Sequence, residues 1–162
     1  MVKILLEQSD NGAKDLLLSV LDEKYFLELL KVVSITNPSS KHSFGISSEE
    51  YALFLRLLYN SSYLNEEHSE YLLSLLSKSD FKDGLVTGVP SDIVVSHKFG
   101  TYSMDEKINN NNVEVSLLHD CGIVYVKEDP FVLCFMTKGK DIKSLLEIIK
   151  HVTTLVYNEE NN

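Results

Sequence analysis

The stretch Ile93-Val94-Val95-Ser96-His97-Lys98-Phe99-Gly100-Thr101 decides the fold, because it ends a series of helical patterns and begins a series of strands. Its β-branched residues predict a strand that continues through Lys98. Apolar residues recur at helical spacing before this point, and two further β-type runs follow it. The sequence therefore predicts an α+β protein, in which a helical lobe precedes an antiparallel sheet of about three strands and a C-terminal helix.

Helix caps and turn residues set the predicted boundaries. Four helices are expected in the lobe, within the segments 13–21, 23–33, 47–59 and 66–77. Val2 to Leu6 resembles the last turns of an earlier helix. The predicted strands are 93–99, 121–126 and 131–137, and Asp141 caps the final helix. Ser34 to Gly45 is predicted as a loop, and Asn109 to Asn112 as an exposed connection. We expect residues 1–162 to form one partial domain, mainly helical over 1–90 and strands plus the C-terminal helix over 91–162.

Two short strings resemble active-site motifs of the penicillin-recognising serine hydrolases. Ser9-Asp10-Asn11 is similar to the S-D-N element of that family, and Lys98-Phe99-Gly100 is similar to its K-T-G element. Other similar segments keep the family order to about Tyr157: 12–18, 47–59, 81–90 and 119–125. The resemblance implies the C-terminal part of a class A β-lactamase-like or D,D-peptidase-like domain, with the β-lactamase/transpeptidase-like fold.

The first motif of this family, S-x-x-K, carries the nucleophile and should precede Ser9, where only eight residues stand. We therefore expect truncation at the N-terminus and no activity of this chain alone. One S-x-x-K string occurs, from Ser79 to Lys82. It follows S-D-N instead of preceding it, so we reject it as the nucleophile motif. A late start codon or a split gene is an alternative explanation of the missing motif.

The resemblance assigns roles to five residues. Ser9 relays a proton to the leaving nitrogen, and Lys98 supplies positive charge for the substrate carboxylate; these two are the predicted catalytic residues. Asn11 binds the amide carbonyl of the substrate, Gly100 lets the substrate approach the strand, and the Thr101 backbone N–H is one oxyanion donor. Phe99 departs from the family pattern, because it removes a hydroxyl that would have touched the substrate.

The loop from Ser34 to Gly45 contains no Asp or Glu. Class A β-lactamases use a glutamate in the corresponding loop to hydrolyse the acyl-enzyme. This absence favours a penicillin-binding or D,D-peptidase-like protein over an efficient β-lactamase. The expected ligands are β-lactams or the stem peptide of peptidoglycan, once the chain is completed by an N-terminal segment.

Composition narrows the other possibilities. A net charge of −9 argues against nucleic acid or an anionic membrane as partner. His and Cys spacings fit no metal site, and we expect no cofactor. His97, His119 and Asp120 are explained by strand and turn positions without a catalytic triad. No apolar run reaches the length of a membrane span or a signal-peptide core, so an extracytoplasmic location is implied by the resemblance alone.

Cys121 and Cys134 fall on the two strands that flank the predicted turn Lys127 to Pro130. If Val126 faces Phe131 across this turn, the two thiols are offset along the strands. Buried, reduced cysteines are therefore predicted instead of a disulfide.

A function of another class is also open. The strand over 131–137 is apolar, and its expected partner strand in the family is missing, so one edge should be unpaired. An open apolar edge favours pairing with another chain. The alternative to a hydrolase fragment is thus a non-catalytic remnant that binds a partner or itself through this strand.

Overall fold

The computed structural model describes residues 1–33, 35, 45–127 and 129–161. Five α-helices and a 3₁₀ turn precede a three-stranded antiparallel sheet, and a long helix ends the chain. This arrangement confirms the predicted α+β fold. The elements are α1 Val2–Gln8, α2 Asn11–Val20, α3 Glu23–Val32, α4 Ser48–Tyr59, α5 Glu66–Leu76, the 3₁₀ turn Val86–Gly88, β1 Val94–Ile108, β2 Asn111–Tyr125, β3 Phe131–Gly139 and α6 Ile142–Glu160.

Side chains at the helix N-termini satisfy backbone N–H groups that have no partner inside the helix. Asp10 accepts from the Ala13 N–H at 2.6 Å, and Asn65 and Asp141 cap α5 and α6 in the same way. Ser47 and Glu50 form a reciprocal capping box at α4. These caps confirm the predicted helix starts. The loop predicted from Ser34 to Gly45 lies, apart from Ile35 and Gly45, outside the described residues.

The sheet has the order β1-β2-β3, and its first hairpin is much longer than predicted. β1 and β2 are paired from Val94–Tyr125 to Ile108–Asn111. Asn109 and Asn110 form the turn with φ of 50° and 65°. Asparagine tolerates this left-handed region, and two such residues in succession match a tight hairpin turn. The asparagine run is therefore the chain reversal of one continuous hairpin.

Side chains alternate between the two faces of the sheet. One face packs against α1, α4 and α5 around Leu55, Leu76 and Ile123. The other face packs against α6 and the 3₁₀ turn around Leu118, Val124 and Ile149. Successive residues of β1 thus face different layers.

Among the described strands, β3 pairs with β2 alone.

The prediction of reduced cysteines was wrong. Cys121 and Cys134 are directly paired between β2 and β3, their Cα atoms are 3.9 Å apart, and they form a disulfide. Phe131 pairs with Val124 instead of Val126, so the true register differs by two residues from the predicted one. The predicted turn includes Glu128, which lies outside the described residues. The longer connection brings the two thiols opposite each other.

Reduction of this disulfide should destabilise the fold. The bond closes a loop with a sequence separation of 13. A loop of this size restricts the unfolded chain, and we expect its loss to lower the free energy of unfolding by about 3 kcal/mol. Urea unfolding with and without reductant measures the difference. The double variant Cys121→Ala/Cys134→Ala is the control, because reductant should not change its stability; equal stability of the oxidised and reduced protein would contradict the prediction.

Candidate active site

Ser9 and Lys98, the two predicted catalytic residues, are in direct contact. Lys98 lies near the start of β1, and Ser9 is the residue that follows α1. The Lys98 Nζ donates hydrogen bonds to Ser9 Oγ at 2.5 Å and to the Phe99 carbonyl oxygen at 2.7 Å. Both side chains are partly buried. Tertiary structure thus joins two residues that are 89 positions apart in the sequence.

Two anchors hold the end of α1 at the sheet. Leu6 packs against the cluster that contains Leu55 and Cys121. The Glu7 carbonyl oxygen accepts a hydrogen bond from the Asp80 N–H at 2.7 Å. Because Ser9 follows these anchors by only two residues, its hydroxyl has little freedom to move away from Lys98.

Burial lowers the pKa of the Lys98 amine from its ordinary value, and the Asp120 carboxylate acts in the opposite direction. Burial disfavours the charged ammonium, while the negative charge favours it. The Lys98 Nζ also lies 4.8 Å from the centre of the Phe99 ring, within the range of a cation–π contact. Burial and Asp120 therefore have opposite effects on the charge of the Lys98 amine.

The remaining predicted site residues lie beside this contact in the chain. Asn11 is exposed in the first turn of α2, and its Oδ1 accepts a long hydrogen bond of 3.5 Å from Lys14. Gly100 and Thr101 follow Lys98 on β1. A Cβ added at Gly100 would meet no atom within 4 Å. Internal packing therefore does not require glycine at this position.

A buried His–Asp pair lies behind Lys98. His97 and Asp120 are 1% and 0% exposed, and the His97 Nδ1 is 2.8 Å from Asp120 Oδ1. Asp120 Oδ2 accepts from the Leu85 N–H at 3.1 Å, and the His97 Nε2 is 3.1 Å from the Phe81 carbonyl oxygen. The pair thus joins β1 and β2 to the segment that leads into the sheet.

The hydrogen-bond partners of the His97 ring indicate where protons are needed between His97, Asp120 and Phe81. Both ring nitrogens face oxygen atoms, one of a carboxyl group and one of a carbonyl group. A carbonyl oxygen only accepts, so the Nε2 must donate to Phe81. The contact between Nδ1 and Asp120 then needs a second proton, on the ring or on the carboxyl group. The hydrogen bonds at both ring nitrogens and both carboxyl oxygens satisfy the buried polar atoms of the pair.

Sequence reasoning explained His97 and Asp120 by strand and turn positions without catalysis, and it missed that their side chains pair. Two glycine positions are connected with this pairing. Gly84 has a φ of +65°, and a Cβ there would lie 2.6 Å from Asp120 Oδ2. A Cβ at Gly122 would lie 2.6 Å from the His97 Cβ. Both glycines make room for the pair, but this requirement is visible only once the register is known.

Phe99 has a packing role in place of the hydroxyl expected from the K-T-G motif. Its ring stacks on Phe81 with centres 4.0 Å apart and an angle of 14° between the planes. Phe81 also accepts the His97 hydrogen bond through its carbonyl group. The aromatic stack therefore holds the same segment that the buried pair holds.

Two other candidates have no catalytic geometry. Ser79 is 1% exposed, and its Oγ accepts from the Phe81 N–H, which fits a structural serine. His119 lies opposite Gly100, and its Nδ1 is buried without a hydrogen-bond partner among the described residues. Within the part of the chain that the structure describes, no three His, Cys, Asp or Glu side chains are grouped as a metal site requires.

Comparisons with known proteins concern the family and the fold of this chain. The model of the Beta-lactamase2 family, described as a beta-lactamase enzyme family, matches residues 2–159. The solved structure of PBP-A has a TM-score of 0.72 and 14% identity, and the match covers 98% of this chain and 59% of PBP-A. A point mutant of PBP-A, solved as an acyl-enzyme complex with penicillin G, gives a TM-score of 0.71 and 14% identity, with coverage of 98% and 60%. The chain thus spans about 60% of the solved structures. None of the curated proteins matches significantly.

The His97–Asp120 pair yields a stability prediction. Asp120→Ala leaves the Leu85 N–H and the His97 ring without their partner, and we expect the free energy of unfolding to fall by about 3 kcal/mol or more. Asp120→Asn is the matched control: its oxygen accepts from Leu85 and its NH₂ donates to a neutral His97 that still donates to Phe81. Urea unfolding should place this variant much closer to the wild type. Equal losses in both variants would contradict the assigned hydrogen bonds.

Proposed function

The chain belongs to the beta-lactamase enzyme family, and from this premise we propose that it is the C-terminal part of a penicillin-recognising serine hydrolase. The proposed reaction is acyl transfer from a β-lactam or a peptide ending in D-alanyl-D-alanine. The contact between Ser9 and Lys98 carries the proposal. A hydroxyl held against a lysine amine is what proton relay during acyl transfer needs.

In the proposed mechanism, Ser9 passes a proton towards the leaving nitrogen while Lys98 attracts the substrate carboxylate. The partly buried position of Lys98 supports this role, because a charge in a less polar surrounding attracts an anion more strongly. Asn11 binds the amide carbonyl of the substrate, and the Thr101 N–H is one oxyanion donor. The open space around Gly100 supports close approach of the substrate to β1.

The nucleophile of the proposed reaction comes from a segment other than these 162 residues. Ser79 is buried and carries a backbone hydrogen bond, which supports its rejection. The match to about 60% of PBP-A supports a chain that completes its active site with further residues. In this proposal the chain alone does not react with penicillin, and the whole of 1–162 acts as one partial domain.

The subtype and location are also proposals. A loop without Asp or Glu supports slow hydrolysis of the acyl-enzyme, as in a penicillin-binding protein or D,D-peptidase acting on peptidoglycan. The Cys121–Cys134 disulfide supports an oxidising, extracytoplasmic location. No helix in the described part of the chain is long and apolar enough to cross a membrane.

A second candidate is a non-catalytic module that associates with itself through β3. The pairing of β3 with β2 alone among the described strands favours it, because the other edge presents backbone groups to a partner. If this candidate holds, light scattering after size exclusion should give a dimer whose fraction rises with protein concentration. A monomer at all concentrations would contradict it.

Covalent labelling tests the proposed hydrolase. The purified chain should not bind fluorescent penicillin on a denaturing gel, whereas the chain supplemented with an N-terminal family segment carrying S-x-x-K should become labelled. Labelling should decrease in Lys98→Ala, because the carboxylate loses its cation. No labelling of the supplemented chain, in the presence of a folded complex, would contradict the proposal.

Two glycine variants sharpen the same experiment. Gly100→Ala meets no atom of the fold, so stability should be retained while labelling of the supplemented chain decreases. Gly122→Ala is the contrasting control, since its Cβ would contact His97 and destabilise the sheet. Normal labelling of Gly100→Ala would contradict the role given to Gly100.

A further inference from the structure

Ser9 has a backbone conformation that glycine usually adopts at the end of a helix. Its φ of 54° and ψ of 37° place it in the left-handed region, at the end of α1. Glycine is the usual residue there, and other residues adopt this region at a cost of about 1 kcal/mol. Strained residues of this kind are concentrated at functional sites. The conformation points the Ser9 hydroxyl at the Lys98 amine, and the hydrogen bond between them follows.

The Lys98 amine can act as a general base in its neutral form, which burial favours. Burial lowers its pKa, and the Asp120 carboxylate, the described charged group that acts on it, opposes this effect. Its second hydrogen bond, to the Phe99 carbonyl oxygen, fixes the direction of the amine. Once Lys98 has lost a proton, its lone pair can accept the Ser9 proton across the same 2.5 Å contact.

We propose that Ser9 and Lys98 form a Ser–Lys dyad, in which Ser9 is itself a nucleophile towards small, activated acyl donors. Such dyads activate serine in hydrolases of other folds. This activity goes beyond the function proposed above, since it needs no S-x-x-K serine.

The proposed step exchanges one ester for another. The Ser9 Oγ bonds to the acyl carbon of an ester while its proton passes to Lys98 Nζ. The bond between the acyl carbon and the leaving oxygen breaks, and the leaving group takes the proton from Lys98. The products are a Ser9 ester and a free alcohol or phenol, and Lys98 returns to its neutral form.

In this proposal the acyl donor of Ser9 is a small ester and not penicillin. In the proposed hydrolase, Ser9 faces the leaving nitrogen of a bound β-lactam, so its Oγ is badly placed for the carbonyl carbon. A small ester without a carboxylate is not held in that orientation and can turn its carbonyl towards Ser9.

Labelling with a fluorophosphonate and acylation by 4-nitrophenyl acetate test the dyad in the unsupplemented chain. The fluorophosphonate forms a bond from Ser9 Oγ to phosphorus and releases fluoride. Mass spectrometry of the digested protein should place the label on Ser9. The label should be absent in Ser9→Ala and unchanged in Ser19→Ala, because Ser19 is an exposed serine bonded to the Leu16 carbonyl oxygen.

Lys98→Arg separates a base from a simple positive charge. Arginine keeps the charge but does not accept a proton at ordinary pH, so labelling should slow by about 100-fold or more. Circular dichroism checks that the variant is folded; if Lys98→Arg does not fold, Lys98→Met tests whether labelling of Ser9 needs the amine at all. Label on Ser9 no faster than on Ser19, or wild-type rates in a folded Lys98 variant, would overturn the dyad. Penicillin labelling of the supplemented chain is independent of this result, so failure of one proposal is distinguishable from failure of the other.

Discussion

The structure around the site depends on one buried carboxylate, that of Asp120. It lies on β2, contacts His97 on β1, and accepts a hydrogen bond from the Leu85 N–H. A fully buried carboxylate is tolerated only when its oxygens are bonded and its charge is balanced. These requirements fix three chain segments relative to each other. The negative charge also reaches the helical lobe: burial, and secondarily Asp120, raises the pKa of Tyr51 to about 12.

Side chains of β1 alternate between the two faces of the sheet, and this alternation determines where the Lys98 cation lies. His97 and Phe99 face the layer of α6, where the buried pair and the stack on Phe81 hold them. Lys98 lies between them in the chain and so faces the opposite layer, where α1 presents Ser9. The strand cannot slide without breaking the His97–Asp120 contact. The His97–Asp120 contact on one face of the sheet therefore maintains the position of Lys98 against Ser9 on the other face.

The disulfide lies on the same face as Lys98. Cys121 is the β2 residue directly opposite Lys98, and Cys134 is its neighbour on β3. The bond fixes the register of β2 against β3. On its other side β2 pairs with β1, which carries the site, whereas β3 pairs with β2 alone among the described strands. Phe99 and the two cysteines together show how this chain supports the site through packing and covalent links.

The sequence by itself determined the order of helices and strands, the caps at Ser47, Asn65 and Asp141, and the two motif strings. Each of these depends on residues within a few positions of each other, where helix and strand periods and capping chemistry act. It did not determine the Cys121–Cys134 pair or the His97–Asp120 network. Both depend on strand register, and a hairpin with a longer connection shifts every opposing pair without changing the local pattern. The motifs assigned Ser9 and Lys98 to one active site, but their contact was decided by the tertiary structure, because only packing of α1 against the sheet brings such distant residues together.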